Sequence, residues 1–324
     1  MCTAVWISAP QHLFGRTLDY EAAFGQEVVV TPRAFALPFR KIGTKEKHYA
    51  LVGMACVADG YPLYFDGMNE KGVCMAGLNF PDNAVYFPCK SGADNIAPFE
   101  LIPWILSQCD SVHAAREKLG RLNLCDIPFH EKIPLSPLHW LLADRAQAVV
   151  LEQTAHGLQV YDNPVGVLTN NPPFLSQMLH LQNYAALSST QPDGDFGARF
   201  GFRAYSRGMG ALGLPGDFSS ASRFVRAAFM RAYCDCTGTP EQAMIRFFRL
   251  MHTVEVPRGC VRLADGRAVY THYTCCCDGA RGVYAYTTDT DYKIRTVDLQ
   301  RCDLDGVRLI RFGQNGSMLC EESM

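Results

Sequence analysis

Strand-like runs in this chain come in blocks, not singly. In the first eighty residues, "AVWISA", "EVVVTP", "HYALVGMACVA" and "VCMAGLNF" are rich in β-branched and aromatic residues and are bounded by Gly, Pro and Asp. "DGMNEKG", between two such runs, reads as a hairpin connection. Helical patterning begins only afterwards, in "PFELIPWILSQC" and "SVHAAREKLGRL", with Ser111 as N-cap of the second. Strands return in "HWLLADRAQAVVLEQTAHGLQVYD", with turns near "DRAQ" and "TAHG". The clearest helical stretch is "SSASRFVRAAFMRAYCDCTGTPEQAMIRFFRLMHTV", where Phe224, Val225, Ala228, Phe229 and Ala232 recur at helical spacing. Gly238 is placed to end its first helix, and Thr239, Pro240 and Gln242 to serve as N-cap, N1 and N3 of the next. "AVYTHYTCCC", "GVYAYTT" and "KIRTVDL" close the chain as strands. This blockwise order is not the single βα alternation of a doubly wound parallel sheet. It predicts an α+β protein built from layered antiparallel sheets. No linker breaks it, so residues 1–324 read as one domain.

Charge excludes some partners. The net charge is −2 and no block of like charge occurs, so neither nucleic acid nor an anionic membrane surface is expected. No apolar run approaches the ~18 residues of a membrane span, and no basic stretch leads into an apolar one at the start. A cytoplasmic protein is the expectation. The 14 cysteines are irregularly spaced over a long chain, unlike a small disulfide scaffold. "CDC" (Cys234, Cys236) and "CCC" (Cys275 to Cys277) lack the paired C-x₂-C spacing of structural zinc, so no metal site is expected and most thiols should be buried packing groups.

One thiol has a special address. Cys2 follows Met1, and removal of the methionine would give one residue both a thiol and a free α-amine. A thiol attacks as its thiolate and needs a base or a nearby cation. An N-terminal cysteine brings its own base, since an α-amine has a pKa of ~7.7–8. The chemistry further needs a carboxylate to orient the amine, a cation to favour the thiolate, and donors for the developing oxyanion. Arg16 and Asp19, in "FGRTLDYE", could supply the charges, though from spacing alone they read first as a structural ion pair. "AGLNFP" and "VLTNNPP" each end an apolar run on asparagine, as oxyanion donors or as ordinary turn residues. Arg223 lies in the first turn of a helix, where the dipole disfavours a cation, which points to a specific partner or to a solvated side chain.

Taken together, "MCT", "LFGRTLDYE", "VTPR", "YPLYFDGMNEKGVCMAGLNFP", "LHWLLAD", "VLEQT", "VLTNNPPF", "GLPGDFSSASRFVR" and "YTCCC" resemble the choloylglycine hydrolase family, which contains bile salt hydrolases and penicillin V acylases. The resemblance implies the four-layer αββα sandwich of N-terminal nucleophile hydrolases, with two antiparallel sheets between helical layers. It implies Cys2 as nucleophile once Met1 is removed, Asp19 holding the α-amine, Arg16 favouring the thiolate, Asn79 and Asn170 as oxyanion donors, and Arg223 closing the charge network. Asn79, where penicillin V acylases often carry tyrosine, favours bile salts.

The implied reaction is hydrolysis of the amide in glycine- or taurine-conjugated bile acids through a thioester, with acyl transfer to amino acids as a side activity. The alternative is penicillin V or another N-acyl amide as substrate. Leu18, Phe65, Phe129 and Ile133 fall at positions that line the family's substrate pocket, though each is also readable as core packing. Arg207, in "YSRGMG", suits a carboxylate or a sulfonate, with a lean to glycine conjugates. No metal or organic cofactor is implied, and a homotetramer is.

Overall fold

The computed structural model describes residues 1–313 and 318–319. The main elements, in chain order, are β1 (Cys2–Ile7), β2 (Leu13–Tyr20), β3 (Glu27–Thr31), β4 (Leu51–Ala58), β5 (Asp66–Asn69), β6 (Cys74–Asn79), α1 (Leu101–Leu106) and α2 (Val112–Leu119). They continue as β7 (Leu138–Ala143), β8 (Ala148–Thr154), β9 (Gly157–Asp162), β10 (Val167–Leu168), α3 (Phe174–Leu181), α4 (Ser220–Tyr233), α5 (Pro240–His252), β11 (Ala268–Asp278), β12 (Val283–Thr288), β13 (Asp291–Asp298) and β14 (Ile310–Phe312).

Strands β10-β1-β2-β11-β12-β13 form one sheet, and β9-β8-β7-β6-β5-β4-β3-β14 the body of a second. Every pairing along these paths is antiparallel. Helices α4 and α5 cover the first sheet and α1 the second, and the two sheets face each other, giving the expected αββα order of layers. Among the described residues, no helix is long and apolar enough to cross a membrane.

The period-two geometry of a strand sorts side chains between layers. Along β6, Cys74, Ala76 and Leu78 enter the core between the sheets, while Met75 faces the α1 and α2 layer. Strands β7 and β8 repeat the pattern: Leu141, Ala143 and Val150 point inward between the sheets, and Trp140, Leu142, Val149 and Leu151 point outward. Both faces of these strands are therefore apolar. Where a strand passes closely against its neighbour and the covering helix, glycine is required: a Cβ on Gly15 would lie 2.0 Å from the Cys275 carbonyl oxygen and 2.8 Å from the Phe247 ring.

Local signals hold at the caps. Ser111 Oγ accepts from Ala114 N, and Thr239 and Gln242 form a reciprocal capping box ahead of α5. Two expectations need correction. Helix α4 ends at Tyr233, before Gly238: Cys234 leaves helical geometry with φ −69° and ψ 118°, and Gly238 sits at φ +94° just before the next N-cap. "DGMNEKG" is not wholly a turn. Its first four residues are strand β5, paired with β6 and β4, so inter-strand hydrogen bonds override the turn preference of Asp-Gly and only Glu70–Gly72 turns.

Candidate active site

Strands β1 and β2 pair from Cys2↔Leu18 to Ile7↔Leu13. Residues directly opposite share a face, and the face alternates along each strand. Cys2, Leu18 and Arg16 therefore project between the sheets, while Thr3, Thr17 and Asp19 project toward the helices. Arg16 is fully buried. Its Nη2 donates to Cys2 Sγ at 2.7 Å, and its Nη1 donates to the carbonyls of Gly77 at 2.8 Å and Phe65 at 3.2 Å. The guanidinium is thus spread between the thiol and the second sheet.

Behind Arg16 lies Asp66, fully buried at the start of β5. It accepts from Tyr284 Oη at 2.7 Å, from Tyr273 Oη, and from Cys275 Sγ at 3.3 Å. Burial alone would lower the Arg16 pKa, but Cys2, Tyr273 and Asp66 outweigh it and hold the guanidinium above its ordinary value. Burial pushes the Asp66 carboxyl up, against the pull of Arg16 and of its own hydrogen bonds.

A β-bulge supplies both faces of this cluster. The register between β2 and β11 shifts from Asp19↔Thr271 to Leu18↔Tyr273, leaving His272 as the extra residue. Thr271 and Tyr273 would otherwise share one face. With the bulge, Thr271 Oγ1 reaches Asp19 Oδ1 at 2.6 Å on the helical side, and Tyr273 reaches Asp66 between the sheets. Thr17 Oγ1 donates to Asp19 Oδ2 at 3.2 Å.

The Cys2 backbone is held from the far side. Its N–H donates to Asn170 Oδ1 at 2.7 Å. Arg223, fully buried in the first turn of α4, donates to that same oxygen at 2.8 Å, to Thr3 Oγ1 at 2.6 Å, to Phe218 O at 3.0 Å and to Cys2 O. These acceptors carry no formal charge. Burial lowers the Arg223 pKa, while Asp19, Cys2 and Asp217 oppose it. Asn170 Nδ2 donates to Asn79 O at 2.7 Å, so the ends of both asparagine-bearing runs meet at Cys2.

Asn170 is in turn clamped. Ser220 Oγ accepts from Asn170 N at 2.8 Å and donates to Thr169 Oγ1 at 2.9 Å, and Gln177 Nε2 bridges Ser220 and Thr169. The buried His139 spans Thr169 O at 2.8 Å and Glu152 Oε1 at 3.2 Å. At the start of the chain, Asp19 N donates to Met1 O at 3.0 Å, and the Met1 ammonium donates to Asp19 O at 2.6 Å.

The sequence-derived residues therefore divide. Cys2, Arg16, Asp19, Asn79, Asn170, Arg223, Leu18 and Phe65 converge on one place. Phe129 instead packs in the outer core with Tyr61 and Phe99, beside Arg40, and lines a cavity of about 390 Å³. Ile133 packs at the edge of that same outer core, and Arg207 is exposed on the loop before α4. Another cavity, of about 500 Å³, has Thr271 and Tyr273 in its wall together with Glu255 and Tyr292, but none of Cys2, Arg16 and Asn170. Asp66, Thr271, Tyr273, Gln177 and the His139–Glu152 pair were not singled out in the sequence. Asp66 was hidden by its turn-like neighbours, and the others by ordinary strand and helix patterning.

Comparisons with known proteins identify the family and the fold. The family model for linear amide C–N hydrolases of the choloylglycine hydrolase family matches residues 2–312. The chain is 46% identical over 312 residues to a bile salt hydrolase/transferase of Lactiplantibacillus plantarum, covering 96% of each chain. It is 36% identical to a bile salt hydrolase/transferase of Clostridium perfringens, covering 98% of each. A mutant conjugated bile acid hydrolase from Clostridium perfringens superposes with a TM-score of 0.88 at 34% identity, covering 99% of both chains. A penicillin V acylase from Agrobacterium tumefaciens shares the fold, with a TM-score of 0.76 at 19% identity over 97% of this chain and 91% of that one.

Proposed function

Because the chain belongs to the choloylglycine hydrolase family of linear amide C–N hydrolases, we propose that it hydrolyses the amide bond of glycine- or taurine-conjugated bile salts, with Cys2 as an N-terminal nucleophile. The observation that carries the reading is the Arg16 guanidinium, 2.7 Å from Cys2 Sγ at the meeting point of the Asn79 and Asn170 runs. The relatives named as bile salt hydrolases support the substrate class.

Removal of Met1 turns the Cys2 nitrogen, now 2.7 Å from Asn170 Oδ1, into an α-amine. The Asp19 carboxylate, held by Thr17 and Thr271, is the group that orients this amine in the scheme. The amine takes the thiol proton, directly or through a water, and Arg16 favours the resulting thiolate. Sγ attacks the amide carbon. The oxyanion is met by the amide NH₂ groups of Asn79 and Asn170; the latter uses one hydrogen on Asn79 O and keeps a second. The amine then protonates the leaving nitrogen, and the thioester forms. Water attacks the thioester by the same path, with the amine as base. An amino acid in place of water gives acyl transfer, a reading that the word transferase in the relatives' names supports. Cys2 supplies both nucleophile and base, so the scheme calls for no cofactor.

Leu18, opposite Cys2 in the strand pairing, and Phe65, whose carbonyl accepts from Arg16, form the wall nearest Sγ; for Phe129 and Ile133, which pack in the outer core, a contact with the steroid rests on the family resemblance alone. Arg207 receives the carboxylate or sulfonate of the conjugate, with a lean to glycine. We read residues 1–324 as one cytoplasmic domain that assembles as a homotetramer. Supporting a contact between copies, Phe196, Phe200 and Phe202 are exposed and stand ring to ring at 5.5 and 5.6 Å. The alternative substrate, penicillin V or another N-acyl amide, rests on likeness of fold; Asn79 weighs against it. Parallel assays with a glycine conjugate, a taurine conjugate and penicillin V decide the matter. Both bile salts should turn over faster, and faster turnover of penicillin V would overturn the assignment.

A further inference from the structure

Two cysteines that take no part in the Cys2 cluster stand close to each other. Cys89 Sγ and Cys125 Sγ are 3.3 Å apart, about 1.3 Å beyond a disulfide bond length. Their backbones are pinned together. Phe87 N donates to Leu124 O and Asp126 N to Phe87 O, both at 3.1 Å. Asn123 Nδ2 donates to Pro88 O at 3.1 Å, and Asn95 holds both the N–H and the carbonyl of Lys90 at 2.8 Å. Cys89 is thus fixed from both neighbours. The pair is also asymmetric: Cys89 is exposed, while Cys125 is buried between Asn95 Oδ1 and Asn123 Nδ2, each at 3.3 Å.

We propose that Cys89 and Cys125 are an oxidation site: a hydroperoxide converts them to an intramolecular disulfide, with Cys89 as the attacking and Cys125 as the resolving thiol. Cys89 sulfur, as thiolate, attacks a peroxide oxygen. The O–O bond breaks, water or an alcohol leaves, and Cys89 becomes a sulfenic acid. Cys125 Sγ then attacks the Cys89 sulfur, the S–O bond breaks, and the Cys125 proton leaves with the hydroxyl as water. The two thiols supply two electrons and the peroxide is reduced. Burial and then the neighbouring Cys89 push the Cys125 thiol up to about 12, which suits the second role rather than the first. Among the described residues, the other neighbouring thiols lack the combination. Cys74 and Cys277 are in contact but both fully buried, and Cys234 and Cys236 are 3.9 Å apart only two residues along the chain. The bridge would close a sequence separation of 36 and tie the segment after Asn79 to the one before Phe129.

The proposal is independent of the hydrolytic reading, and its test reads peptides, not activity. Purified Cys2→Ala protein, which lacks the activated thiol, should become lighter by two hydrogens when treated with hydrogen peroxide. A non-reducing digest should yield the Cys89 peptide linked to the Cys125 peptide, and dithiothreitol should separate them. The bridged form should melt about 5 °C higher. Cys89→Ser, at an exposed position, should abolish the link, and Cys125→Ala should leave Cys89 as a sulfenic or sulfinic acid. Over-oxidation of Cys89 in the wild type without a link to Cys125, or linkage of Cys89 to another cysteine, would overturn the proposal.

Discussion

Arg16 and Asp66 show why a few buried charges govern this site. Each is fully buried, and each is stabilised by partners that a substitution would strand. Arg16→Gln removes the cation from Cys2 and leaves Asp66 without its balancing charge. Loss of stability by about 3–5 kcal/mol is expected, together with a steep fall in kcat. Asp66→Asn on the same background should recover much of the stability but none of the activity, and a double-mutant cycle by urea unfolding and steady-state kinetics separates the two effects. Recovery of both would mean that Arg16 acts only through packing. The residues of the cluster were unequally legible. Cys2, Arg16, Asp19, Asn79, Asn170 and Arg223 stand in distinctive stretches. Asp66 sits in "FDGMNEKG", whose composition announces a turn, and only pairing with two other strands discloses it as buried.

Elements were most legible where the chemistry is local. Thr239, Pro240 and Gln242 mark the start of α5, and the capping box forms as the residues require. Thr239→Ala should lower stability by about 1 kcal/mol with kcat unchanged, measured by denaturant midpoint; a null effect would show that packing on β11 alone fixes the helix start. Local chemistry fails where backbone geometry depends on distant strands. Helix α4 stops at Tyr233, where Cys234 turns extended, five residues before the glycine that sequence marks as its end. The bulge at His272 has no signature in "AVYTHYTCCC", and its effect is an interlayer one: it sends Thr271 to Asp19 and Tyr273 to Asp66.

At the scale of the molecule, the blockwise order of strands and helices gave away the layered antiparallel architecture, while the placement of Phe129 and Ile133 in the outer core was not readable from apolar character alone. The far parts of the chain are also tied by charge. Arg33 donates to Glu70 at 2.6 Å and to Asp305 at 2.8 Å. Glu70 is held below the ordinary carboxylate range, chiefly by Arg33, against its burial. Because its folded pKa is depressed, the stabilisation is present above the unfolded value and is lost as pH falls through the folded one. The stability gap between wild type and Glu70→Gln, by urea unfolding, should hold from pH 7 down to about 5 and close as the carboxylate protonates below about 4.3. A gap independent of pH would contradict the ion-pair account. The central claim, that Cys2 acts as an N-terminal nucleophile, is tested most directly by release of glycine from a glycine-conjugated bile salt, with wild type and Cys2→Ala side by side and each intact mass recorded. Wild type should be one methionine lighter than the encoded chain and active, and Cys2→Ala folded and inactive. Full activity in a chain that keeps Met1, or in folded Cys2→Ala, would contradict it.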